Sequence, residues 1–188
     1  MIHRASAAVL ATHTVTNQPP DFAPRDLWQT DPALREAVRR EGGDWAEDLL
    51  AALGTEAGSD HVMELGDLAN RNPPTLRSFD RHGHRLDEVE FHPAYHALMD
   101  LAFRHRIHAI PWTARQPGGH VVHAAMGYLL TQAEAGVLCP VAMTYAAVPV
   151  LRRQPELGAE WLPRILSDRY DPRFIPAAEK TGQPLVWR

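Results

Sequence analysis

Apolar residues recur every three or four positions along most of this chain, a spacing that places them on one face of an α-helix. Capping residues, prolines and glycines separate the segments that have this spacing. The pattern predicts helices over residues 32–41, 44–53, 59–69, 94–104, 120–136, 140–151 and 156–166. It therefore predicts an all-α fold, a helical bundle of about six or seven helices with almost no strand.

Local signals mark where several of these helices begin and end. Asp31 before Pro32 is typical of a helix start, and Gly42-Gly43 of its end. Asp44 is predicted to cap the second helix, which we expect to end before Gly54. A strongly amphipathic helix is predicted after Pro93, because its apolar residues share one face (Tyr95, Leu98, Met99, Ala102 and Phe103).

The segments 120–136 and 140–151 are apolar around most of their circumference. Helices of this kind belong in the middle of a bundle, so we predict a hairpin of two buried helices. Pro149 is expected to kink the second of them or shorten its end.

Periodicity fails in the remaining parts of the chain. Residues 1–11 are predicted to be a disordered tail and 12–30 an extended arm. Residues 70–90 are predicted to form a long loop or a small extended excursion, and residues 110–119 a break between helices.

Composition and charge narrow the class of protein. The 188 residues, 45% of them hydrophobic, suit a single domain. The net charge of −4 gives no support to a nucleic-acid surface over the whole chain. A lone cysteine cannot form an internal disulfide, and no apolar stretch reaches membrane-spanning length, so a cytoplasmic location without membrane contact is expected.

The eleven histidines raise the possibility of a metal site. His92 and His96 have the spacing that can place two imidazoles on one metal, but Pro93 between them suggests that His92 precedes the helix. Six of the others lie where histidine is ordinary, at predicted helix ends or in loops (His82, His84, His105, His108, His120 and His123). We therefore predict no metal ligands.

Four other residues carry candidate chemistry. Cys139 has apolar neighbours, which favour a packing role over a nucleophile. Glu134 is either a buried acid or, as we favour, part of a polar stripe or an interhelical hydrogen bond. Thr144 and Tyr145 interrupt an apolar helix, so their hydroxyls need partners, either backbone carbonyls, which we favour, or a ligand.

Segments spread along the chain resemble one known family. They include Thr12–Pro20, Glu64–Pro74, Asp87–His96, Met143–Ala147 and Leu166–Asp171. In residue type and order these segments are similar to the AidB-like, alkylation-response branch of the acyl-CoA dehydrogenase superfamily. The resemblance covers residues 12–182.

This resemblance implies a larger architecture than the chain contains: an N-terminal helical domain, a β-domain and a C-terminal helical bundle, with FAD in a homotetramer. Residues 12–182 correspond to the first domain, and residues 183–188 diverge from the family. The family's Met-Thr-Glu-x-x-Gly-Gly-Ser-Asp flavin-binding motif does not occur here. The β-domain and C-terminal bundle are expected to be absent, and with them the catalytic carboxylate and the basic DNA-binding surface.

The implied function is that of an FAD-dependent oxidoreductase, which passes a hydride from an acyl-CoA substrate to FAD, or of a DNA-protecting protein. We expect this chain alone to be inactive, to contain no catalytic residue and to bind FAD weakly or not at all. Met143, Thr144 and Tyr145 are the candidate wall of an acyl or flavin pocket. The alternative is a non-catalytic helical module that oligomerises through the arm and the 70–90 loop.

Overall fold

The computed structural model describes Thr12, Thr14, residues 16–19 and residues 24–182. The predicted tail (1–11) and the divergent end (183–188) lie outside the described residues. The described part contains eight α-helices and one two-stranded sheet. The helices are α1 (Pro32–Arg40), α2 (Glu47–Ala57), α3 (Asp60–Arg71), α4 (Pro93–Arg104), α5 (Ile110–Thr113), α6 (Gly119–Thr131), α7 (Leu138–Leu151) and α8 (Pro155–Ile165).

The helical prediction is therefore confirmed in its main part, and the segment 110–119 accounts for the additional helix. We predicted a break there, but α5 forms one turn that starts at Ile110 with Pro111 in the first turn. A proline is tolerated in a first turn because its missing N–H would have no partner there.

Several predicted helix boundaries agree with the structure. The Asp31 carboxylate accepts a hydrogen bond from the Leu34 N–H at the start of α1. The Ser59 side chain accepts from the Val62 N–H at the start of α3. At the start of α4, a ring nitrogen of His92 accepts from the Ala94 N–H, so His92 does precede the helix. These bonds satisfy N–H groups that the first turn of a helix leaves without partners.

The predicted end of the second helix is wrong. Asp44 belongs to a 3-10 turn, Asp44–Ala46, and α2 continues through Gly54 to Ala57. Gly54 lies inside the helix, at a point where Trp28 packs closely against the helix backbone. A side chain at this position would have no room. The glycine thus marks a close packing contact and does not end the helix.

The prediction of an extended arm over 12–30 is wrong in its last part. Residues 27–30 form a turn, stabilised by a hydrogen bond from the Thr30 N–H to the Asp26 carbonyl. Backbone N–H groups of Arg25 and Leu27 donate to carbonyls at the end of α2. The Trp28 side chain is fully buried, and its indole N–H donates to Glu47 at 2.9 Å. This segment is therefore part of the domain core.

The core is centred on α6, which packs against α1, α2, α5 and α7. Its buried residues join those of α2 and α4 in one apolar cluster, whose largest fully buried side chains include Trp28, Phe103, Met99, Met126, Leu129 and Leu130. Burial of large apolar groups of this kind supplies most of the stabilisation of a domain.

The predicted loop over 70–90 contains an antiparallel hairpin, β1 (Thr75–Phe79) and β2 (Arg85–Glu90), so the fold is not purely helical. The pairing shifts between Arg77 and Phe79, which gives β2 an extra residue. Asp87, in this irregular stretch, has a positive φ of 50°. Both strands are exposed along most of their length.

A clamp centred on Asp171 holds the segment after α8. The Asp171 side chain is buried and accepts hydrogen bonds from the Arg173 guanidinium and the Thr181 N–H. These bonds hold the pKa of Asp171 far below its usual range, with the Arg173 guanidinium as the largest cause. The clamp joins the two ends of residues 171–181.

Candidate functional site

Helix α7 presents an exposed row of small and apolar side chains, which we call the outward stripe: Cys139, Met143, Ala146 and Val150. These positions are separated by three or four residues and so lie along one side of the helix. Val150 is 67% exposed and Met143 41%. The prediction that α7 is a buried helix is therefore wrong, because the described residues cover one of its sides.

The inner side of α7 is formed by Val141, Thr144 and Val148, which are fully buried. The Thr144 hydroxyl donates to the carbonyl of Pro140 at 2.9 Å, which confirms the predicted backbone partner. Because its side chain points into the domain, Thr144 does not share a surface with Met143. The three candidate pocket-wall residues are thus distributed around the helix.

Tyr145 is half-buried in a cluster of rings with Trp112, His120 and His123. Its hydroxyl forms a 2.8 Å hydrogen bond with Nδ1 of His120, so its partner is a side chain and not the favoured backbone carbonyl. The His123 ring stacks on Tyr145 with centroids 4.1 Å apart. The arrangement holds the phenol rigidly and leaves the exposed His120 at the surface.

Pro149 explains why Trp112 belongs to this cluster. A proline has no N–H, so the carbonyl four residues earlier, that of Tyr145, lacks its helical partner. The Trp112 indole N–H donates to this carbonyl at 3.1 Å. Helix α7 continues through Pro149 to Leu151, the predicted last residue, so of the two predicted effects of Pro149, a kink or a shortened end, the shortened end does not occur. The tryptophan and the proline are 37 residues apart in the numbering, so local sequence patterns do not reveal the contact.

Glu134 lies just after α6, and its side chain is buried. Its two carboxylate oxygens accept hydrogen bonds from the N–H groups of Gly136 and Val137, both at 2.7 Å. The favoured polar stripe or interhelical bond is therefore wrong, because α6 ends at Thr131 and leaves this carboxylate to cap the turn before α7. A carboxylate is well suited to this position near the positive end of a helix.

Cys139 is exposed, which contradicts the predicted packing role. Its apolar sequence neighbours Val137 and Val141 are buried, but the cysteine itself belongs to the outward stripe. The apolar sequence around it did not reveal which side of the helix it occupies.

The histidines have individual structural roles. Nδ1 of His96 bonds the Tyr170 hydroxyl at 2.8 Å, and His105 bonds Glu56. His108 lies in the turn between α4 and α5, which agrees with the predicted helix-end or loop position, but it is fully buried. Its Nε2 lies 3.0 Å from the Ser167 carbonyl. Burial lowers the pKa of His108 to about 4. Within the described residues, no group of three or more His, Cys, Asp or Glu side chains is arranged to hold a metal ion.

With this geometry established, comparison with known proteins identifies the family. Residues 17–172 match the model of the adaptive response protein AidB N-terminal domain. The chain belongs to this family. It is also 45% identical over 173 residues to "Putative acyl-CoA dehydrogenase AidB" of Escherichia coli (strain K12), an alignment that covers 91% of this chain and 32% of that protein.

Two solved structures share the fold. One is Caenorhabditis elegans ACDH-11 in complex with C11-CoA, at 22% identity and a TM-score of 0.67, covering 88% of this chain and 30% of that one. The other is the apo form of Bd2924, at 23% identity and a TM-score of 0.73, covering 84% of this chain and 32% of that one. The chain thus spans about a third of the length of each of these relatives. The resemblance to an acyl-CoA dehydrogenase N-terminal domain is confirmed.

Every helix within the described residues is too short or too polar to span a lipid bilayer.

Proposed function

We propose that this chain is the N-terminal helical domain, residues 12–182, of an FAD-dependent acyl-CoA dehydrogenase-like protein of the AidB type. In its full form that protein transfers a hydride from an acyl substrate to FAD, protects DNA, or does both. The outward stripe of α7 carries the proposal, because it is the surface on which the other domains pack. Family membership supports the assignment of the domain.

The composition of the outward stripe explains why we assign it as a packing surface. A surface helix normally presents polar side chains to water, and contiguous exposed apolar surface marks an interaction site. Met143 and Val150 instead expose large apolar side chains two turns apart. The remaining two thirds of an AidB-type polypeptide is the natural occupant, since the E. coli relative extends over a length about three times that of the matched region.

Of the candidate wall residues on α7, Met143 and Tyr145 fit the role of a wall and not of a grip on FAD, whereas Thr144 points into the domain. Met143 offers apolar surface, and the ring cluster of Tyr145 and Trp112 is rigid. The described residues contain no glycine-rich turn between a strand and a helix that would hold a pyrophosphate. When bound, FAD supplies the hydride acceptor. This chain's contribution is to shape the pocket and exclude water, with no catalytic residue of its own.

We also propose that subunits associate as homo-oligomers through the arm and the hairpin. Leu76 and Phe79 of β1 are 64% and 61% exposed, which supports an interaction there. Contacts with acyl-CoA and DNA are assigned to the other domains of the full form.

A chimaera tests this function. This chain would replace the matching third of E. coli AidB, and flavin content would be measured by absorbance after gel filtration. We expect the chimaera to retain about one FAD per subunit, while the 188-residue chain alone retains little. A folded, soluble chimaera without flavin would count against the proposal, as would tight stoichiometric flavin in the isolated chain.

Substitutions at the stripe make the test specific. Met143→Asp in the chimaera is expected to lower flavin content or chimaera yield, because it places a charge in the domain interface. Leu49→Asp on α2 is the matched control, since Leu49 has nearly the same exposure, 42% against 41%. Equal effects of the two substitutions would remove the stripe from the proposed interface.

A further inference from the structure

Residues that are remote in sequence from α7 form a cleft of about 990 Å³. Its walls are the end of α3, the base of the hairpin, the start of α4 and residues 170–180 of the segment after α8. Small-molecule sites in proteins commonly have volumes of this order and combine apolar walls with a few polar groups. The chemistry of the walls therefore indicates which kind of ligand the cleft would take.

Two histidines at the start of α4, His92 and His96, line the cleft. Nδ1 of His92 accepts the Ala94 N–H at 3.1 Å, so the ring hydrogen of His92 lies on Nε2. Nδ1 of His96 bonds the Tyr170 hydroxyl at 2.8 Å. Neither Nε2 atom has a hydrogen-bond partner within the part of the chain that the structure describes. Both rings thus leave a polar atom for a ligand.

Tyr170 determines which nitrogen of His96 carries the hydrogen. Burial raises the pKa of Tyr170, and burial, followed by the charge of Lys180, lowers the pKa of His96, so both groups are neutral near pH 7. We assign the phenol as the donor and Nδ1 as the acceptor, because a phenol is a stronger acid than a neutral imidazole N–H. The hydrogen of the His96 ring then lies on Nε2, where it can be donated to a ligand.

The charged side chains of the cleft wall all have partners among the described residues. Four ion pairs and one bond to a backbone carbonyl account for them: Arg71 with Asp67, Glu88 and Glu90 with Arg77, Arg173 with Asp171, and Lys180 with the carbonyl of Asp171. These side chains carry equal numbers of positive and negative charges. A charged ligand would lose hydration here without gaining an opposite charge that lacks a partner, so the cleft favours an uncharged ligand.

Apolar side chains form the remaining wall. Phe91, Phe174 and Ile175 line the cleft, and Phe91 is held in place by stacking on Tyr95 with ring centroids 4.2 Å apart. Such surface suits a short hydrocarbon or aromatic group.

We propose that this cleft binds an uncharged compound with an apolar body and a carbonyl oxygen that accepts a hydrogen bond from Nε2 of His96. The apolar body lies against Phe91, Phe174 and Ile175, and Tyr170 is a positioning residue that keeps His96 in the donor form. This inference goes beyond the proposed function, because none of these residues belongs to the outward stripe of α7. Tertiary amides, esters and ketones share the required chemistry.

An NMR titration of the full 188-residue chain tests the proposal. The probes are the N,N-dimethylamide of phenylbutanoic acid, phenylbutanoate itself and phenylbutyltrimethylammonium, which share an apolar body and differ in charge. The dimethylamide can accept a hydrogen bond but cannot donate one. We expect it to bind once per chain, to shift the resonances of His96 and Ile175, and to bind at least about fivefold more tightly than either ion.

A histidine substitution locates the hydrogen bond. His96→Leu is expected to weaken dimethylamide binding about fivefold, because one hydrogen bond is lost. His61→Leu is the matched control, since His61 is exposed on α3 and lies outside the cleft. It should change the affinity less than about twofold.

Tyr170→Phe tests the positioning role and keeps the test decisive if His96→Leu fails to fold. It retains the ring that stacks on Phe103, with centroids 5.9 Å apart, and removes only the hydroxyl. We expect the nitrogen NMR signals of His96 to change from one form, with hydrogen on Nε2, to a mixture of both, and dimethylamide binding to weaken. Tyr128→Phe is the control, because Tyr128 is exposed on α6 and bonds Asp31.

The proposal is overturned if the dimethylamide does not bind, or if either ion binds as tightly as the amide. Equal losses of affinity in His96→Leu and His61→Leu would also overturn it, because binding would then not involve the cleft. Unchanged His96 nitrogen signals in Tyr170→Phe would contradict the positioning role of Tyr170.

Discussion

Helices α6 and α7 are adjacent in the chain and similarly apolar, yet they differ in how much of their surface is buried. Helix α6 buries seven residues, among them Val122, Met126 and Leu130, and packs against four other helices. Helix α7 buries Val141, Thr144 and Val148 and leaves the outward stripe exposed. A high apolar content indicates that a helix needs cover on most sides, but it does not identify what provides that cover.

The apolar surfaces of the two helices therefore serve different processes, folding for α6 and association for α7. The apolar surface of α6 stabilises the domain itself, because burial removes it from water on folding. The stripe of α7 contributes little to the folding of this domain and is available for association. Substitutions at matched positions in the two helices should therefore separate folding from assembly.

The largest expected effect comes from a pair of methionine substitutions. Met126→Ala in α6 should lower the free energy of unfolding by about 2–5 kcal/mol, because it leaves a cavity in the core. Met143→Ala in α7 should change it by less than about 0.5 kcal/mol. Urea denaturation followed by circular dichroism measures both. Similar losses in the two variants would mean that the stripe is buried in solution.

Acid should destabilise the core through His108. Its folded-state pKa of about 4 lies below the ordinary 6.5, so the unfolded chain binds the additional proton more readily. The resulting stability is fully present above pH 6.5 and is lost as the pH falls towards 4, by about 3 kcal/mol in total.

The variant His108→Phe isolates this effect. Burial also lowers the pKa values of His96 and His123, which adds a pH dependence of the same sign. The pH-dependence of unfolding should therefore be shallower in His108→Phe than in the original chain between pH 4 and 6.5. Superimposable pH profiles would show that His108 is not buried as a neutral imidazole.

Glycines provide a third comparison. A methyl group at Gly54 would lie 2.5 Å from Cβ of Trp28 and 2.6 Å from its backbone nitrogen. Gly54→Ala should therefore destabilise the domain by about 1–3 kcal/mol, even though alanine favours helix formation. Gly127→Ala in α6 is the control, because it meets a flexible Leu138 methyl at 3.3 Å and should be neutral or stabilising. Thermal unfolding ranks the two variants, and a stable Gly54→Ala would contradict the Trp28 contact.

The smallest expected effect lies at the junction of the two helices. Glu134→Ala removes the acceptor for the N–H groups of Gly136 and Val137, at a cost of about 1 kcal/mol. The loss should be local, with faster amide hydrogen exchange at the start of α7 than in α6. Exchange that increases equally in both helices would show that the junction stabilises the whole domain. Gln132→Ala, an exposed neighbour, is the control.

The spacing of apolar residues predicted burial correctly for a helix that packs one face against the core. The spacing of apolar residues in α4 predicted its buried side, and Leu98, Met99 and Phe103 are indeed fully buried. It failed at Trp28 because that residue lies between proline-rich and helical segments, outside any periodic pattern. It also missed the hairpin, whose short strands have an irregular pairing near Asp87 that disrupts regular alternation.

The candidate site was predictable in part. Chain-wide resemblance indicated the family, but the grouping of Trp112, His120 and Tyr145 depends on contacts between α5, α6 and α7. The exposure of Cys139 depends on which side of α7 has no neighbour. Neither feature has a local sequence signal, because both are set by packing between distant segments.

Cys139 offers the most direct measurement of the central claim, that the outward stripe is covered by the other domains of an AidB-type protein. It is the single cysteine of the chain and lies at the start of the stripe. Maleimide labelling of the Cys139 peptide, followed by mass spectrometry, would compare the isolated chain with the E. coli AidB chimaera. We predict rapid labelling in the isolated chain and at least about tenfold slower labelling in the chimaera, because covering requires local opening before reaction. Equal labelling rates in the two folded proteins would contradict the claim.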